Sequence, residues 1–162
     1  MTRLILDPCC GSKMFWFNKN NDNVIFGDIR KEEHILCDGR TLTIDPDILL
    51  DYTALPFGDN KFTIVVYDPP HLIHAGDNGW QALKYGKLKY GWPEDIKCGF
   101  SECFRVLQCG GTLIFKWNET QVKVSELLAL TEHTPLFGHK SGKNSKTHWI
   151  CFIKDNKNEP TD

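Results

Sequence analysis

Apolar residues in this chain fall in short runs, and polar turn-formers follow each run. Residues 3–7 hold Leu4-Ile5-Leu6 and end on Asp7; Val24-Ile25-Phe26-Gly27-Asp28 has the same form. Runs of this length bounded by turn signals predict buried strands. A third strand is expected over 47–51. A fourth is expected over 61–67, around Phe62-Thr63-Ile64-Val65-Val66. A fifth is expected over 112–117, and a closing pair over 136–140 and 148–154. Between positions 35 and 44, Asp38-Gly39 separates two β-prone arms and predicts a hairpin.

Helical spacing appears in other places. Ile96, Phe100, Phe104 and Leu107 recur at helical intervals and predict a helix over 94–108, stopped by Gly110-Gly111. Residues 13–19, rich in Phe and Trp, predict a short helix after the first turn. Another is expected over 121–130. Residues 71–93 contain Gly76, Gly79, Gly86 and Gly91 and no sustained periodicity, so a long loop is expected there. Long loops in compact domains are often functional lids.

Strands alternating with helices imply an α/β fold with a mostly parallel sheet and right-handed crossovers. The last two strands are joined too briefly for a crossover, so they should pair antiparallel. One domain is expected over 1–154, followed by a polar tail over 155–162. The 162 residues are enough for a sizeable core, and 41% hydrophobic with 25% charged residues is ordinary for a soluble globular protein.

No apolar run is long enough to cross a membrane. Met1-Thr2-Arg3 leads straight into the first strand, so no signal peptide is expected. Seven cysteines without a secretion signal point to a reducing, cytoplasmic setting. They form no Cys-x-x-Cys pair, so a zinc ribbon is not expected. Cys9-Cys10 reads most simply as small residues in a tight turn, and no metal is expected. The net charge of −2 gives no global basic field to draw in nucleic acid.

The candidate chemistry sits at strand ends. In open α/β sheets, ligands bind beyond the carboxyl ends of the strands. The first strand ends in Asp7-Pro8-Cys9-Cys10-Gly11-Ser12 and the fourth in Asp68-Pro69-Pro70-His71. Gly11 lets the backbone approach a ligand. A carboxylate at Asp7 suits a cationic ligand better than a phosphate. Asp28 follows Asp7 at the spacing of an acid that accepts ribose hydroxyls. Two prolines in succession fix the backbone and hold a carbonyl in place.

This pair of motifs resembles motifs I and IV of S-adenosylmethionine-dependent amino-methyltransferases. Asp68-Pro69-Pro70-His71 is similar to the Asp/Asn-Pro-Pro-aromatic motif of enzymes that methylate exocyclic amines. The resemblance runs from Leu4 to the strand near Ile153. It implies a Rossmann-like, seven-stranded methyltransferase fold and S-adenosyl-L-methionine as cofactor. Asp7, Pro8, Cys9, Gly11, Asp28, Asp51 and Tyr52 would then bind the cofactor, Asp51 through the adenine amino group. Asp68, Pro69, Pro70 and His71 would carry transfer, His71 taking the slot of the stacking aromatic. The chain departs from the pattern twice, with Lys13 where motif I has a second glycine and His71 where motif IV has Tyr, Phe or Trp.

The acceptor implied is a nucleic-acid base, in RNA or DNA. Between Trp80 and Trp92 the chain interleaves lysines with aromatics, among them Lys84, Tyr85, Lys87 and Tyr90. Such residues contact phosphates and stack on bases, although solvated lysines and packed aromatics explain the composition equally well. A second basic stretch holds Lys140, Lys143 and Lys146, and reaches the same sheet edge if the sixth strand is parallel. Lys116 ends the fifth strand on that rim. No target-recognition domain is evident, so a protein partner or a second copy of the chain is a further expectation. Two other readings stay open: a small molecule or protein amide as acceptor, and a catalytically silent cofactor- or RNA-binding module.

Overall fold

The buried runs do become strands, and their order decides where a site can form. A computed structural model describes residues 3–155. Its strands are β1 (Ile5–Asp7), β2 (Val24–Asp28), β3 (Glu32–Ile35), β4 (Thr41–Ile44), β5 (Ile48–Leu49), β6 (Phe62–Tyr67), β7 (Leu107–Asn118), β8 (Phe137–Lys140) and β9 (Thr147–Ile153). The helices are α1 (Trp80–Tyr85), α2 (Trp92–Val106) and α3 (Val124–Leu128).

Seven strands form one sheet in the order β5-β2-β1-β6-β7-β9-β8. β5, β2, β1, β6 and β7 run parallel, and β9 pairs antiparallel with both β7 and β8. β8 is therefore parallel to β7. The chain winds outward from β1 to β5, then returns to lay β6 on the other side of β1. This reversal opens a crevice outside the carboxyl ends of β1 and β6.

One sheet face is covered mainly by α2. Ile96, Phe100, Cys103 and Phe104 are buried on its inner side. Phe100 is fully buried and meets Phe115 at a ring separation of 4.8 Å and Tyr67 at 5.4 Å. The helix comes this close because Gly99 has no side chain, and a Cβ there would collide with the Tyr67 hydroxyl and Tyr52. A smaller cluster of Cys10, Val24 and Phe26, with Ile5 and Trp16 packed on it, lies apart from this core.

Several boundaries differ from the sequence expectation. Residues 13–19 form turns, not a helix. Their aromatics are held by tertiary contacts: the Trp16 indole meets Phe26 edge-on at 5.2 Å, and Phe15 meets Trp149 at 5.3 Å. The hairpin is present as β3–β4, but its first arm begins at Glu32 and it forms its own two-stranded sheet. The expected loop over 71–93 contains α1, and α2 starts at Trp92 with Pro93 in its first turn, where a missing N–H costs nothing.

Gly110-Gly111 does not stop the helix; α2 has already ended at Val106. The glycines instead lie within β7, where the register against β6 shifts between Phe62 and Ile64. Gly110 takes a positive φ of 74°, which suits an irregular strand. The helix expected over 121–130 shortens to α3. The polar tail beyond Asp155 lies outside the described residues. No helix of the described residues is long and apolar enough to cross a membrane.

Candidate functional site

The crevice between β1 and β6 is a cavity that brings both motifs together. Pro8, Cys9 and Gly11 line it from the β1 turn, and Asp28 from the end of β2. Asp68, Pro69, Pro70 and His71 line it from the end of β6. Tyr52 closes one side, Lys116 enters from β7, and Lys84 and Tyr85 cover it from α1.

Local hydrogen bonds explain how the β1 turn is held. Cys10 donates its N–H to the Gly27 carbonyl at 2.8 Å, and Gly11 donates to Asp28 Oδ2 at 2.8 Å. Gly11 sits at φ +50°, a conformation that favours glycine. Asp28 Oδ1 accepts the Arg30 N–H at 3.0 Å, and the Arg30 side chain lies 3.5 Å away. Arg30 also donates to the Leu83 carbonyl at 2.8 Å, tying α1 down over the cavity. Asp28 is thus fixed by backbone donors while its carboxylate still borders the cavity.

Asp7 takes a different place. It is wholly buried and does not line the cavity; it accepts the Trp16 indole N–H at 2.8 Å and the Cys9 N–H at 3.2 Å. Burial pushes its carboxyl up to about 7, against the pull of the Trp16 hydrogen bond and with the help of the Asp68 and Asp28 charges. The folded state therefore holds this proton more tightly than the unfolded chain does. The stability it contributes is fully present below the ordinary carboxylate range and is lost as pH rises toward about 7. Asp7→Asn keeps an oxygen for Trp16 and Cys9 and cannot ionise. The variant is expected to gain in melting temperature relative to wild type as pH rises through that window. Taking the difference matters, because the His71 imidazole is shifted the opposite way. Parallel melting curves at every pH would contradict a protonated Asp7.

At the end of β6, Asp68 accepts a hydrogen bond from Lys116 Nζ at 2.8 Å. Burial raises the Asp68 carboxyl, and the Lys116 ammonium pulls it back down. His71 follows the two prolines, its ring 5.2 Å from Tyr85 and 6.2 Å from Trp117. Burial, aided by Lys116, lowers its imidazole to about 4. His71 is therefore neutral at physiological pH, a small flat ring rather than a cation.

Other residues named from the sequence lie elsewhere. Asp51 is exposed, and its carboxylate accepts both the N–H and the hydroxyl of Thr53 at 2.9 and 2.7 Å, closing a turn outside the cavity lining. Lys87 pairs with Asp77 at 2.9 Å, and Tyr90 is fully exposed; both border a separate depression on the far side of α1. Lys143 lies in the β8–β9 connection, which borders another depression. The structure also adds Met14, Phe15 and Arg30 to the cavity lining. Phe15 sits in the aromatic run at 15–17, whose composition resembled a helix face. Arg30 lies two positions past Asp28, and only the fold turns it toward α1. Among the described residues no cluster of three or more His, Cys, Asp or Glu is placed to hold a metal.

No protein-family model matches the sequence. No curated protein matches it. Solved structures do match. A Pyrococcus horikoshii protein aligns at a TM-score of 0.58 and 16% identity, covering 93% of this chain and 81% of its own. A TehB-like SAM-dependent methyltransferase from Corynebacterium glutamicum aligns at 0.58 and 12%, covering 95% and 81%. A SAM-dependent methyltransferase from Methanosarcina mazei aligns at 0.55 and 13%, covering 96% and 94%. With its strand order and terminal antiparallel pair, the chain has the Rossmann-like, seven-stranded α/β fold found in S-adenosylmethionine-dependent methyltransferases.

Proposed function

We propose that this chain is an S-adenosylmethionine-dependent N-methyltransferase acting on an exocyclic amine of a nucleic-acid base, in RNA or DNA. One observation carries the reading. The Gly11 turn with Asp28, and Asp68-Pro69-Pro70-His71, border the same cavity at the topological switch point.

The residues present fit the cofactor. Asp28 lines the cavity with its carboxylate anchored by one backbone N–H on each oxygen, from Gly11 and Arg30, and each oxygen has a second lone pair that a ribose hydroxyl could use. Tyr52 offers a ring at the cavity wall. Asp28 and Asp68 both line the cavity and place carboxyl groups at this spot, which suits a cation better than a phosphate. When bound, the cofactor supplies an electrophilic methyl group on a sulfonium, which leaves as a neutral thioether.

The chain's own residues then handle the acceptor. An aromatic amine is a weak nucleophile because its lone pair is delocalised into the ring. Asp68 and the Pro69 carbonyl accept hydrogen bonds from its two N–H groups, so that the nitrogen can rehybridise toward the methyl group. The two prolines keep that carbonyl in place. The methylated nitrogen gives up its excess proton to solvent after transfer. Most of the gain is orientation and preorganised polarity. His71 stacks on the presented base as a neutral ring. Its lowered imidazole pKa makes it a poor proton acceptor at neutral pH. On α1, Lys84 and Tyr85 lie at the cavity mouth, with Lys84 Nζ 5.2 Å from the Tyr85 ring. They supply a cation for a phosphate and a face for a base.

Transfer of tritium from labelled cofactor into fractionated RNA, DNA, protein and metabolites tests this reading. Label in nucleic acid, falling as salt rises, supports it. Label confined to protein or metabolites replaces the acceptor, and binding without label anywhere leaves a silent cofactor-binding module. The cofactor half has its own test. Calorimetry on Asp28→Ala should show S-adenosylmethionine binding weakened by about 1.5–3 kcal/mol, the range for a hydrogen bond to a charged group. Unchanged affinity in a variant that still melts cooperatively would remove Asp28 from the site.

A further inference from the structure

We propose that Lys116 is a positioning residue that clamps Asp68, holding one carboxylate oxygen so that the other is left for the acceptor amine. The inference rests on the N-methyl transfer reading above. Lys116 Nζ lies 2.8 Å from Asp68 Oδ2, and both side chains are less than one-fifth exposed. No described residue donates a hydrogen bond to Asp68 Oδ1.

The ammonium is itself held in place. Its Nζ lies 5.2 Å from the Phe15 ring and 5.6 Å from the Trp149 ring, within the range of a cation–π contact. Those rings meet edge to face at 5.3 Å and come from opposite ends of the chain. A lysine set in such a frame is not a loose phosphate contact. It leaves the carboxylate one oxygen to offer, and that oxygen accepts one N–H of the acceptor. The Pro69 carbonyl is then needed for the other.

The clamp also governs charge. The groups around Asp68 are Asp7 and Cys9 from β1 and its turn, Asp28 from β2, His71 from its own loop, Lys84 from α1 and Lys116 from β7. Burial favours a protonated Asp68, Lys116 opposes it, and His71 is neutral. Lys116 is the cation in direct contact. A protonated Asp68 would present a hydroxyl donor where an acceptor is needed.

The test uses the full chain with aspartate labelled at the carboxyl carbon. The Asp68 signal is assigned by its loss in Asp68→Asn and followed by NMR from acid to alkaline pH. In Lys116→Met its midpoint should rise by about 1–3 pH units, the effect expected when an adjacent opposite charge is removed. Lys116→Arg should restore most of the wild-type midpoint. The rising limb of the methyl-transfer rate against pH should move with the NMR midpoint, while cofactor affinity holds. An unmoved midpoint in a folded Lys116→Met overturns the clamp, and so does a moved midpoint with an unshifted rate profile. If wild type transfers no methyl group but the midpoint still moves, the transfer reading fails and the electrostatic clamp stands.

Discussion

Asp68→Ala is expected to lower methyl transfer by about a hundredfold or more while leaving most cofactor affinity in place. The carboxylate lies at the end of β6, inside the cavity and away from the Gly11 turn's hydrogen bonds. Its work is done on the acceptor nitrogen, so its loss should appear in the transfer step. The same substitution leaves Lys116 without its 2.8 Å partner, which adds a fold-stability cost. Asp68→Asn separates the two effects, because it keeps an oxygen acceptor and the shape while losing the charge. It should fall between wild type and Ala. Single-turnover transfer with calorimetry of the cofactor decides the matter. A near-wild-type rate in Asp68→Ala would sink the amino-transfer mechanism and leave the fold untouched.

Trp117→Ala should destabilise the chain by roughly 3–5 kcal/mol, the range for truncating a large buried aromatic. Trp117 is fully buried on β7, stacked on Phe115 at an interplanar angle of 17°. Its indole N–H donates to the Val122 carbonyl at 2.9 Å, and that carbonyl would lose its donor. The ring also lies edge-on to His71, with the ring centres 6.2 Å apart. Urea denaturation measures the loss, and Trp117→Phe should recover most of the packing. A cost near zero would show that the ring is not packed as described. Any Trp117→Ala protein that folds should also transfer more slowly, since His71 loses that contact.

How much of this was legible beforehand follows the range of each interaction. β2, β6 and the helical spacing of Ile96, Phe100 and Phe104 could be read directly, because burial imposes a period on the sequence. The 13–19 segment misled. A run of Phe and Trp is equally suited to a helix face or to turns anchored from afar, and Trp149 lies too distant in sequence to decide between them. Gly110-Gly111 misled for a similar reason, since a bulged strand and a helix stop both draw on glycine's positive φ.

The candidate site divides along the same line. Sequence alone determined the strand-end positions of Asp28 and Asp68-Pro69-Pro70-His71, because short apolar runs followed by turn-formers are local signals. Only the tertiary structure decided which side chains meet there. It buried Asp7 against Trp16 rather than exposing it to a ligand, and it turned Lys87 and Tyr90 away while keeping Lys84 and Tyr85. It also brought Lys116 to Asp68 between Phe15 and Trp149, residues from four separate parts of the chain. Charge pairing and burial depend on distances in space, and no periodicity along the chain encodes those distances.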